Sequence, residues 1–284
     1  MIEKVSSSKP LLSALDTRQW IKVVVYSLLL INFCHYVLND LNQATHTYHS
    51  DWKWHDWTAN FATTLDELGW FLLLILFELE TYVFSDQALT RSRVMMNSVR
   101  IICYLAIGHT VFAFSEYIFD LANATEHVGV TLCSFAENGL SFTRNLEYWE
   151  LDASNCESLS FGADFYMFAQ GQVITDFAGM QTEVELACAD VIEVIVWLCV
   201  LFLIEIRIRL LDRGITHGYL LSFAEATKYF LYGILWLISG YWVYMGHWIF
   251  AWDEALWILG FVAIGSNLSK WREELRINKV NGTP

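Results

Sequence analysis

The sequence predicts an all-α membrane protein: six transmembrane helices, both termini cytoplasmic, and a small disulfide-containing β-rich domain outside the membrane between the third and fourth helices. Three observations predict it. Of 284 residues, 55% are hydrophobic, 16% aromatic and only 17% charged, too apolar for a soluble chain of one or two domains. Six windows approach the ~20 mostly apolar residues that a helix needs to cross a hydrocarbon core. They are 21–39, 65–84, 101–119, 191–207, 229–249 and 252–268, the last one short. Lys and Arg alternate across these windows, fifteen on one side against Lys53 and Arg144 on the other. The basic side is the cytoplasmic one by the positive-inside rule, which implies a plasma or bacterial inner membrane.

Taken in order, residues 1–20 read as a cytoplasmic tail and an amphipathic surface helix, and 21–120 as the first three spans. The first window follows basic residues, but "LLLINFCHYVLND" offers no small-x-small cleavage site, so it is expected as a retained helix. Between the first two spans lies "NQATHTYHSDWKWHDWTANF", whose Trp52, Trp54 and Trp57 suit anchoring at headgroup level. Residues 121–189 form the expected outer domain. Asn138-Gly139 between strand-like flanks signals a hairpin, and Gln170-Gly171 a second one. Cys133 and Cys156 flank the first hairpin and would staple so small a core, although Cys188 leaves the connectivity open. Residues 190–269 hold the last three spans, with "AWDEAL" as the tight turn between the final two, and 270–284 form a cytoplasmic tail.

The net charge of −14 sits mainly outside: residues 121–189 carry ten acids against a single Arg144. Such a face concentrates cations and repels anions, so the expected partners are membrane lipid and cations or protons, with no nucleic acid. Weaker selection against acid in external loops is the plainer reading. The only prolines are Pro10 and Pro284, so no span is broken by one. That favours a rigid pore, a homo-oligomer or part of a larger membrane complex over a carrier with discontinuous helices.

Ionisable residues inside a membrane point to function by default. Helical spacing and depth place Glu78 and His109 near the midplane of neighbouring antiparallel helices, where they are expected to face each other. His35, Glu116, Glu193 and His247 fall in the outer third, and Asn32 shares a stripe with His35. Glu205 has Arg209 at i+4, the spacing of a structural pair. The leading expectation is a cation or proton channel or transporter with an acidic outer vestibule and a buried Glu78–His109 pair. The plainer reading of that pair is a hydrogen bond that fixes helix packing. A second expectation is a non-catalytic sensor or partner subunit whose outer domain binds another protein. A third is a membrane haem or metal protein with His35 and His247 as ligands. Catalytic signatures such as G-x-S-x-G, H-E-x-x-H or a phosphate-binding loop do not occur.

Overall fold

The computed structural model describes residues 17–79, 86–213, 215 and 217–262. The surface helix and the tails expected at either end lie largely outside these residues, as does the end of the second expected span. The described chain is mostly helical. It contains α1 (Thr17–Thr47), α2 (Trp54–Asn60), α3 (Ala62–Glu78) and α4 (Asp86–Ala122), then a small sheet domain, then α6 (Phe177–Asp212), α7 (Tyr219–Met245) and a last helix, α8, over residues 248–262. Within the sheet domain run β1 (Thr125–Val128), β2 (Ser141–Arg144), β3 (Glu147–Glu150), a single helical turn α5 (Cys156–Leu159), β4 (Asp164–Phe168) and β5 (Val173–Asp176).

Among the described residues, three helical stretches are long and apolar enough to cross a membrane: Lys22–Thr47, Val94–Ala122 and Phe177–Arg207. A fourth is reached if α2 and α3, bent by 72°, count as one span. The six expected windows therefore find three or four such helices. The fifth, α7, is long enough, but Tyr, Trp, Gly and Ser dilute its apolar character. The sixth, α8, is followed only to Val262. What these helices present outward is apolar: Leu38, Leu105, Phe119, Phe202 and Leu237 each leave about two thirds or more of their surface uncovered. A continuous coat of that kind belongs in lipid or against another protein.

Inside, the helices close on Leu29, Trp70, Ile107, Val200, Leu235 and Ile258. Close approach of α3 and α4 depends on Gly69. A Cβ there would stand 3.1 Å from Ile107 Cγ1 and 3.3 Å from the Cys103 carbonyl, tighter than ordinary packing. The bend before α3 is tied to α1. Asp40 of α1 accepts the Thr64 backbone N–H at 2.9 Å, capping the first turn of α3, and Asn60 donates to the Asp40 carbonyl at 3.1 Å. A helix start is thus set by a carboxylate from a different helix.

The sheet has the order β1-β4-β5-β2-β3, antiparallel except where β2 and β5 run parallel. Its core is Leu132, Phe142, Phe165 and Ile174, stapled by the Cys133–Cys156 disulfide; Cys188 is free. Asn138-Gly139 is not the hairpin that its flanks suggest, because a 3-10 turn over Leu132–Phe135 precedes it instead of a strand. The β2–β3 hairpin turns at Asn145-Leu146, both left-handed, with φ of 58° and 60°. A leucine in that region costs about 1–2 kcal/mol. Tertiary bonds hold the turn: Leu146 N–H donates to Glu183 at 3.0 Å and Asn145 Nδ2 to the Met245 carbonyl at 3.0 Å. The expected turn at Gln170-Gly171 does join β4 to β5. Asp176 ends β5 and caps α6 by accepting Gly179 N–H at 2.8 Å, while Arg144 pairs with the same carboxylate.

"AWDEAL", expected as a tight turn, is helical. The turn between the last two helices falls at Gly246-His247, not there. Gly246 is left-handed (φ 91°), with Gly246 N–H to the Val243 carbonyl and His247 N–H to the Trp242 carbonyl, the Schellman pattern. Asp253 and Glu254 consequently lie within α8 and are buried.

Candidate functional site

Chain direction brings the ends of α1, α4 and α7 and the beginnings of α3, α6 and α8 together beneath the sheet. Acids stand on three of these helices: Asp66 and Glu67 on α3, Asp190 and Glu193 on α6, Asp253 and Glu254 on α8. All of them but Glu254 line a chamber of about 420 Å³. Among its described lining residues nine are Asp or Glu and none is Lys or Arg. Tyr148 and Phe168 of the sheet domain contribute to its wall. Burial pushes the Tyr148 hydroxyl well above its ordinary pKa, with Glu183 adding to the shift, so this wall is neutral at physiological pH.

Below lies a smaller space of about 40 Å³ that shares Asp66, Glu67, Glu193 and Asp253 with the chamber and adds Glu254. Its floor is aromatic. Trp70 packs against Trp197 and Trp257 at ring-centre distances of 5.4 and 5.8 Å, and Phe261 lies 5.5 Å from both Trp70 and Trp197.

The acids are held by neutral donors. Asn32 Nδ2 donates to Asp253 at 2.7 Å, Trp197 Nε1 to Glu254 at 2.9 Å and Trp242 Nε1 to Glu193 at 2.6 Å. Asp66 accepts from Trp70 Nε1 at 3.1 Å and from Thr110 Oγ1 at 3.2 Å. Glu67 also lies in hydrogen-bonding reach of Asp253, and Glu193 of Glu254. Two carboxyls so close in a low-dielectric interior require a proton or a cation between them. Glu67 Oε2 and Glu254 Oε1 are buried acceptors without a donor among the described residues. Chemically, such an arrangement can accept positive charge.

The residues expected from the sequence divide. Asn32, Glu116 and Glu193 belong to this region: Asn32 orients Asp253, and the other two line the chamber. Glu78 does not face His109. It is bonded to Lys22 at 2.8 and 2.9 Å and accepts from the Tyr26 hydroxyl at 2.7 Å, because α1 presents a base and a phenol at its level. His109 stacks on Phe112, and its Nε2 has no partner among the described residues. Neither His35 nor His247 lines the chamber. His35 packs edge-on to Tyr36, and His247 Nε2 lies 3.1 Å from Asn145 Oδ1. Among the described residues no group of three or more His, Cys, Asp or Glu is arranged to hold a metal ion.

Asp66, Glu67, Asp190, Asp253 and Glu254 escaped the sequence reading, although a signal was present. "DELGW" (66–70) and "DEALW" (253–257) repeat a D-E-x-x-W pattern, and "EVIVW" (193–197) repeats its acid-x3-Trp spacing. On a helix, residues at i and i+4 share a face. Each motif therefore delivers an acid and an indole together, and the three indoles meet as the floor.

The chain matches no family model, no curated protein and no solved structure. What the fold and the site define is a mostly helical protein, three to four of its helices able to span a membrane, with an acid-lined chamber opening beneath a disulfide-stapled sheet.

Proposed function

We propose that this is a six-helix integral membrane protein with both termini cytoplasmic, which draws cations or protons from the outer side into the acidic chamber as a channel or transporter. The observation that carries this reading is a chamber lined, among the described residues, by nine carboxyl side chains and no Lys or Arg, inside a bundle whose outward surface is apolar. The orientation is supported by the opposite end of the bundle, where Lys22, Arg207, Arg209 and Lys228 gather. Carboxyls lacking basic partners mark ion and proton pathways in membranes.

The test is flux of H⁺, Na⁺, K⁺ and Ca²⁺ into proteoliposomes carrying the purified protein. Glu67→Gln and Glu193→Gln are each expected to lower the flux by about tenfold or more, the worth of one charge-assisted bond. Glu78→Gln should leave it intact. A well-folded protein with no flux, or with flux indifferent to Glu67→Gln, overturns the reading.

A second reading, a partner subunit whose sheet domain binds another protein, is favoured by one observation: Phe161 of that domain is 94% exposed. Its test is co-purification of a stoichiometric partner that is lost on Phe161→Ser.

A further inference from the structure

Resting on the reading that the chamber admits cations, we infer that its ligand is an organic ammonium compound, with its charged head in the small lower space and its organic body in the chamber above. Four observations carry this. The first is a net demand for donors: among the described residues lining the lower space, two carboxyl oxygens lack a donor and one indole N–H, that of Trp257, lacks an acceptor. Glu67 and Glu254 are only 6% and 3% exposed, both line the lower space, and one carboxyl oxygen of each has no donor among the described residues. A protonated amine brings up to three N–H donors and a positive charge, which answers both deficits at once.

The second is size. A space of about 40 Å³ accommodates one or a few water-sized groups, which an ammonium head matches and a metal ion with its hydration shell exceeds. No metal-holding group of acids, Cys or His exists among the described residues. The third is the floor. Trp70, Trp197 and Trp257 all line the lower space, and indoles are the best aromatic partners of organic cations. The fourth is the upper chamber. About 420 Å³ is the volume of a small-molecule site, and Tyr36, Trp242 and Phe250 among its otherwise polar walls offer apolar contact to an organic body.

The two carboxyl pairs, Glu67 with Asp253 and Glu193 with Glu254, add a consequence. A proton taken up by an empty pair would offset part of the repulsion between its carboxyls; when the ammonium arrives, its N–H groups take that place and the proton leaves to solvent. Binding should therefore release protons.

The experiment titrates the purified full-length protein in detergent with benzylammonium chloride and, separately, with benzyl alcohol, a neutral molecule of nearly the same shape. Calorimetry is run in two buffers of different ionisation enthalpy. Benzylammonium is expected to bind about tenfold or more tightly than the alcohol. Its heat should differ between the buffers, which reports proton release. The preference should fall in Glu67→Gln and in Trp257→Phe and persist in Glu78→Gln. Equal binding of amine and alcohol overturns the inference, as does amine binding indifferent to both chamber variants. The outcomes also separate it from the transport reading. Inorganic cation flux without ammonium preference sinks the inference and leaves transport standing. Ammonium binding without flux of any cation sustains the inference and ends transport. A cooperatively melting protein that shows neither ends both.

Discussion

At the end of the bundle away from the sheet, Glu78 meets Lys22 at 2.8 Å, Glu205 meets Arg209 at 2.7 Å, and Glu225 meets Arg207 at 2.6 Å and Lys228 at 3.1 Å. At the sheet end, Asp66, Glu67, Glu193, Asp253 and Glu254 meet indole, amide and hydroxyl donors and one another. The same residue type is neutralised at one end and left wanting at the other. Basic residues were available to the sheet end, but Arg144 is committed to Asp176 within the sheet domain. Keeping buried acids without counter-charge destabilises a fold. The proposed site for positive charge gives a reason for placing them on three different helices, each beside an indole.

The sharpest way to break this comparison is to remove a neutral donor from the small space beneath the chamber. Trp197→Phe deletes the N–H that Glu254 accepts and leaves a second oxygen of that buried carboxyl unsatisfied. The expected loss is about 1–3 kcal/mol, read as a lowered melting temperature in detergent. If the melt is unmoved, the indole is filling space and the chamber is wetter than its burial implies.

Next in size is the paired end. Lys22→Met strips Glu78 of its cation but leaves the Tyr26 hydroxyl. The pair is partly exposed, 35% and 24% at the two side chains, so solvent screening keeps the expected cost to about 1 kcal/mol. Adding Glu78→Gln should restore most of it. A double variant no better than the single would show that Lys22 acts through packing, not charge.

Glu67→Gln turns the sign around. Removing one member of a carboxyl pair relieves repulsion while keeping the shape, so stability is expected to stay level or rise by about 0.5–1 kcal/mol as function falls. At the opposite end, Glu78→Gln alone should lower stability. If both substitutions destabilise equally, the two ends do not differ in kind.

How much of this was legible depended on how local its cause is. Apolar runs without proline announced the helices, two cysteines flanking a turn-rich stretch announced the Cys133–Cys156 staple, and i+4 spacing announced Glu205–Arg209. Where an element is set from afar, the sequence misled. The start of α3 is fixed by Asp40 across the bundle, so Asp66 and Glu67, at the very edge of the 65–84 window, did not stand out as buried acids. Gly246 inside an apolar run looked like a span residue and not a helix end, which pushed the turn onto Asp253 and Glu254. Glu78 looked unanswered because its partners, Lys22 and Tyr26, lie more than fifty positions away. The repeated acid-and-indole motifs become visible as one site only when all three helices are in place.

The smallest expected effect sharpens the comparison through salt. Arg209 is 72% exposed in its i,i+4 pair with Glu205. Arg209→Ala is therefore expected to cost no more than about 0.5 kcal/mol at low ionic strength, and nothing measurable near 1 M salt, where the screening length falls to about 3 Å. The chamber acids are buried and their mutual repulsion is screened far less. The stability difference between Glu67→Gln and the unaltered protein should thus survive the same salt. Melting curves for both variants at low and high salt read this directly. A Glu67→Gln difference that vanishes with salt as the Arg209 effect does would mean that the chamber is as open to ions as the surface, and the contrast between the two ends would then be one of position alone.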